Sequence, residues 1–162
     1  MGSFTYRVKV PSKESLDYLM ANWNRAKHPV INGECELPGG KDPKRAQTID
    51  MDKMSHAITD VRKETFDPKT NSVAIDVVFT GRMAPAIADA HVRGDLRFIP
   101  RFVTLVPDNG GPALDRIITW DAVTRPPESK LLDRRIEIEK KKMRDEENAK
   151  DKAAELRKKK GK

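Results

Sequence analysis

From Glu128 to Lys160 the chain contains neither glycine nor proline, and residues 128 to 162 carry 14 Lys or Arg against 9 Asp or Glu. Charged side chains lose hydration on burial and are rarely found fully inside a protein unless paired. A stretch so dense in charge cannot supply a core, so whatever packs must lie in residues 1 to 127. Glu137 with Lys141 and Glu146 with Lys150 stand four apart, acid first, an order that supports an exposed helix by roughly 0.3 kcal/mol per pair. A long charged helix is therefore predicted over residues 128 to 162. Leu132, Ile136 and Met143 fall near one of its faces, but no heptad continues beyond Met143, so a strong coiled coil is not indicated. The first half of the tail is expected to dock on the domain or a partner and the last half to be solvated.

The tail also holds most of the basicity: of a net charge of +7, residues 1 to 127 contribute only two. At 162 residues the chain fits one domain with a modest core plus this appendage. A single cysteine, Cys35, excludes an intrachain disulfide, and three scattered histidines do not make a zinc cluster, so neither a metal nor another cofactor is expected. There is no apolar run long enough for a membrane span and no charged-then-apolar leader, which points to the cytoplasm or a particle assembled there.

Within residues 1 to 127 the pattern alternates between strand and helix. Thr5 to Val10 reads as a strand stopped by Pro11, and Ser12 offers a cap for a helix from Lys13 to Arg25 with Leu16, Leu19, Met20 and Trp23 at helical spacing. Residues 27 to 53 turn polar and rich in Gly and Pro and read as a long loop. A hairpin is predicted from His56–Glu64 and Ser72–Thr80 around Asp67-Pro68-Lys69-Thr70-Asn71, then a helix from Met83 to Arg93 ended by Gly94. Leu96–Val106 and Arg116–Val123 complete the set as strands. The expected fold class is α+β, a mostly antiparallel sheet with one or two packed helices and the charged C-terminal helix.

Several short motifs then stand in a telling order. They are Gly33-Glu34-x-x-Leu37-Pro38, Thr48-Ile49-Asp50-Met51-Asp52-Lys53-Met54-Ser55-His56-Ala57-Ile58-Thr59, Gly94 followed by Pro100-Arg101, and Thr119-Trp120-Asp121-Ala122-Val123 ahead of Pro126-Pro127. This series resembles the prohead maturation proteases of large tailed phages. In that family G-E-x-x-H-P supplies the base, a segment like I-N-L-x-x-x-S-H-x-I-T and a hairpin follow, G-x-x-x-G-x-S-S-R-G carries the nucleophile, and T-x-D-I-V-x-x-P-S forms a closing strand. The likeness covers residues 4 to 127 and implies a partly open barrel of the prohead-protease type. Gly33, Glu34, Pro38, Ser55, His56, Gly94, Arg101 and Asp121 are the positions retained.

The two positions the family reserves for chemistry are replaced. Serine proteolysis needs a hydroxyl within reach of an imidazole, because the free hydroxyl is too weak a nucleophile at neutral pH. Leu37 stands at the base position and Pro100 at the nucleophile position, and neither can take that role. Ser55 or Thr104 with His28 would restore a pair only after two independent relocations, so a non-catalytic protein is expected. His56 then fills a structural hydrogen-bonding position, and His28 and His91 are unspecific. Arg101, which follows the nucleophile position, is either a surviving anion contact or a solvated charge on a strand; the sequence favours the solvated charge. Arg97 shares or opposes its face according to register.

The resemblance implies a structural or head-assembly protein of a phage, in the virion or host cytoplasm, binding capsid, scaffold, core or other virion proteins within an oligomer or larger assembly and no membrane. An inhibitor of the active protease is one alternative. A nucleic-acid binder is another, with Arg157, Lys158, Lys159, Lys160 and Lys162 on phosphates, although the tail lacks aromatics for base stacking.

Overall fold

The structure is a computed structural model that describes residues 2–40, 42–126 and 128–161, with the side chains of residues 128–134 left aside. It contains a compact unit, Met1–Arg125, and a second unit, Pro126–Lys162. In the first unit the elements run β1 (Ser3–Lys9), α1 (Lys13–Asn22), β2 (Ile31–Glu34), α2 (Pro43–Ala46), a 3-10 turn (Met51–Lys53), β3 (Met54–Asp67), β4 (Ser72–Phe79), α3 (Ala84–Arg93), β5 (Arg97–Leu105) and β6 (Leu114–Val123).

The protein is α+β with antiparallel sheets. Four strands form one sheet in the order β1-β4-β3-β2, and β5 and β6 form a second, two-stranded sheet. The two meet where Cys35 makes a parallel bridge to Ala122 and the Glu36 N–H donates to the Ala122 carbonyl at 2.7 Å. They do not close into a barrel. Leu16 from α1, Ile58 from β3, Ile75 and Val77 from β4, Ile87 from α3 and Trp120 from β6 are fully buried and form the centre of the core.

Local chemistry explains most of these elements. Ser12 caps α1 by accepting from the Ser15 N–H at 3.1 Å. The helix stops at Asn22, earlier than the expected Arg25, because Trp23 turns extended. Its indole N–H then donates to the His28 carbonyl at 2.8 Å, and the Arg25 guanidinium lies 4.2 Å from the ring centroid. Asn71 adopts φ 47° in the β3–β4 turn, and Gly94 ends α3 at φ 73°, a left-handed cap that lacks a Cβ penalty.

The expected long loop at 27–53 is a correction. It contains β2, α2 and the 3-10 turn. β2 gains its strand geometry from pairing with β3, Ile31 opposite Ile58 and Asn32 opposite Ala57, a partnership between segments distant in sequence. Asp42 ahead of Pro43 caps α2, its carboxylate accepting from the Lys44 N–H at 3.0 Å.

The tail is a helix, α4 (Glu128–Lys160), with Arg157, Lys158, Lys159 and Lys160 in its last turn, where positive charge complements the helix dipole. Its side chains are exposed from Arg135 onward, including Ile136, Ile138, Met143 and Leu156. The place of Leu132 in the apolar stripe falls outside the described side chains, and Pro127 and Lys162 lie outside the described residues.

Trp120 ties the two sheets into one core: the indole N–H donates to the Lys9 carbonyl at 2.8 Å, and its own carbonyl accepts from the His56 ring. Trp120→Phe removes buried volume and strands the Lys9 carbonyl, so a loss of roughly 2–4 kcal/mol is expected in urea denaturation.

Candidate functional site

Leu37 and Pro100, brought from distant parts of the chain, border the same pocket of about 270 Å³, together with Pro38, Arg45, Arg101 and Phe102. Pro100 sits on β5 opposite Trp120 of β6, and Leu37 follows the bridge that ties Cys35 to Ala122. Leu37 is 45% exposed and Phe102 43%, so the rim is an apolar surface open to solvent. Leu37, Pro38, Pro100 and Phe102 offer van der Waals contact there beside the exposed Asp42 carboxylate, and among the described residues the lining holds neither an imidazole nor a hydroxyl.

Behind this rim the structure overturns the expectation for Arg101. It is not a solvated charge: its side chain is 5% exposed and lies between two fully buried carboxylates. Its Nε donates to Asp121 at 2.8 Å and Nη2 donates to Asp121 at 2.7 Å and Glu34 at 2.8 Å. Nη1 donates to the Thr48 carbonyl at 2.8 Å and more weakly to Ala46 at 3.3 Å. Arg45 from α2 completes the cluster with a two-pronged contact to Glu34 at 2.5 and 2.9 Å. Two guanidinium groups and two carboxylates thus balance. The anions that Arg101 would otherwise take from a ligand are supplied from within the chain.

Burial alone would raise the Glu34 carboxyl, but hydrogen bonds from Arg45 and Arg101 outweigh it and hold the group below its ordinary value. Asp121 has only one guanidinium partner; burial is the larger effect there, and its carboxyl is raised. Burial also acts against the charge on Arg101, yet the two carboxylates more than offset it.

Ser55 and His56 lie on β3 with no exposed surface. The His56 Nε2–H donates to the Trp120 carbonyl at 2.7 Å, which leaves Nδ1 as the acceptor for the Ser55 hydroxyl at 2.8 Å. The Ser55 proton thus points to an imidazole, but in the interior. Desolvation lowers the His56 pKa to about 4. Gly33 is required beside it, because a Cβ there would lie 2.1 Å from His56 Nε2 and 2.8 Å from the Trp120 carbonyl oxygen. Six of the motif residues therefore converge: Gly33 admits the His56 ring, Ser55 donates to that ring, and Glu34 and Asp121 clamp Arg101.

Other candidates lie elsewhere. The Thr104 hydroxyl donates to Asp115 at 2.7 Å, and His28 is exposed beyond the end of α1. His91 packs among Phe4, Tyr6 and Phe79, hydrogen-bonded to the Tyr6 hydroxyl. Arg97 is exposed, whereas Arg101 is buried. Gly94 is a helix cap, and Arg157 to Lys160 are exposed on α4. Arg45, which sequence reading missed, had one signal: the Asp42-Pro43 helix start just before it.

No family model, curated protein or solved structure matches the chain. Among the described residues no helix is long and apolar enough to cross a membrane.

Two outcomes follow from this geometry. Arg101→Met leaves Glu34 and Asp121 facing each other without their shared cation, and is expected to cost about 3–5 kcal/mol in chemical denaturation. Arg45→Met should cost less, because its side chain is 28% exposed and Arg101 still holds Glu34. The second outcome concerns pH. His56 titrates near 4 in the fold against 6.5 for a free imidazole, so between those values the unfolded chain binds a proton that the native state refuses. Stability present above pH 6.5 is lost as pH falls, by ~3 kcal/mol at pH 4 from this group. Urea midpoints measured from pH 7 to 4 should show the slope, and His56→Gln should flatten it.

Proposed function

We propose that the protein is a non-catalytic relative of the phage prohead proteases that works in head assembly, binding a capsid, core or other virion protein through the surface around Leu37, Pro100 and Phe102. One observation carries the reading. The positions that the resemblance assigns to base and nucleophile border a single pocket and are occupied by Leu37 and Pro100, which offer apolar contact in place of transferable protons. Large apolar groups exposed beside a rigid ion cluster suit protein recognition, since the backbone beneath them need not reorganise on binding. The exposed basic end of α4 adds a contact for acidic partners or phosphates that weakens with salt.

The reading is tested by incubating the full chain with capsid and scaffold proteins of its phage. Mass spectrometry should find no new termini, while co-purification retains one of these proteins. Phe102→Asp, which puts a charge on the rim without touching the buried cluster, should weaken that retention about tenfold. Specific cleavage lost in Ser55→Ala would overturn the proposal. Capture of the active protease alone would favour the inhibitor, and salt-steep nucleic-acid binding lost on removal of 128–162 would favour the tail as the working part.

A further inference from the structure

The seam between the two sheets is closed at one end and open at the other. β2 is the last strand of its sheet and is hydrogen-bonded along its length only to β3, while β6 is paired along its length only to β5. The two run parallel from the Cys35–Ala122 bridge. One step upstream a side chain replaces the main-chain link, the Thr119 hydroxyl donating to the Asn32 carbonyl at 2.9 Å. Beyond that point the strands border a groove of about 610 Å³, with the end of α1 and residues 47 to 49 forming its other walls.

This groove combines three properties. Its wall is mixed, with Trp23, Ile31, Ile49 and Ile118 beside the polar Asn22, Asn32 and Gln47. It borders the edge of β6 upstream of Thr119, which pairs with no neighbouring strand among the described residues, the usual template for an added extended segment. Arg116 is the only Lys, Arg, Asp or Glu on its wall, is half-buried, and makes no ion pair among the described residues. A partly desolvated guanidinium without a counter-ion is a strong site for a carboxylate.

We propose that this groove binds an extended peptide segment bearing an aspartate or glutamate, whose backbone lies along the outer edge of β6, whose carboxylate meets Arg116 and whose apolar side chains lie on Trp23 and Ile31. A peptide fits better than a compact anion because the free edge of β6 offers main-chain groups in series. The site shares no residue with the Leu37 and Pro100 pocket, so it stands independently of the function proposed above.

A displayed library of random short peptides, selected on the full chain, provides the probe. Enriched sequences should alternate apolar residues around one acidic position. A synthetic peptide of that sequence should shift the amide signals of Ile31, Asn32 and Ile118 and the Trp23 indole N–H. Arg116→Gln should weaken it about tenfold or more, Arg116→Lys less, and Phe102→Asp not at all. If Arg116→Gln fails to fold, replacing the acidic residue of the peptide by its amide gives the same reading from the ligand side. Selection without acidic preference, affinity indifferent to both changes, or shifts at Leu37 and Phe102 instead would overturn the assignment. So would failure to select any peptide while laurate binds through Arg116, which would make the groove a site for amphiphilic anions.

Discussion

A guanidinium stays protonated at any pH at which a protein is folded, so burying Arg101 obliges the chain to bring negative charge to it. That obligation organises this structure more than any single apolar contact. Asp121 answers it from the neighbouring strand β6, and Glu34 answers it from the end of β2 in the other sheet. The remaining donor is met by the carbonyls of Ala46 and Thr48, which pins the segment after α2 to the face of β5 and β6. Such a cluster gives less net stability than its short distances suggest, because desolvation offsets much of the attraction. Its consequence is geometric: only one placement of β2 and α2 satisfies all four charged groups.

The opposite face of the same strands is held by neutral groups. Trp120 fills the core, lends its carbonyl to His56 and reaches Lys9 with its indole N–H, so β6 is anchored to β3 and to the end of β1. Gly33 belongs to this face as well, since only the absence of a Cβ lets β2 pass beneath the imidazole. Charged clamp and aromatic plug therefore act on consecutive residues of β6, Asp121 on one side and Trp120 on the other, as the two-residue period of a strand requires. The pocket of Leu37 and Pro100 sits on the rim of this rigid centre, so its shape is set by interactions to which the rim residues themselves contribute little.

Much of the fold was legible residue by residue. The Ser12 cap, the strand at Thr5 to Val10, the turn at Asp67 to Asn71 and the Gly94 terminus are local signals, and the structure has elements at each. Residues 27 to 53 were misread because β2 has little strand signature of its own: Ile31-Asn32-Gly33-Glu34 becomes a strand only by pairing with β3. Arg101 was misread for a related reason. An arginine on a strand is ordinarily solvated, and nothing adjacent to it discloses that Glu34 and Asp121 converge on it from elsewhere.

The sequence by itself determined the division of labour along the chain, because charge density and the absence of Gly and Pro favour a helix over residues 128 to 160, exposed from Arg135 onward. It also determined that Leu37 and Pro100 cannot move a proton, since that is a property of the side chains alone. Only the tertiary structure decided that these two residues share a pocket, that Ser55 and His56 are sealed from solvent and that Arg101 is neutralised from within. Each of those is a matter of distance between segments remote in sequence, and such distances are fixed by packing and charge balance in the assembled core rather than by local preference.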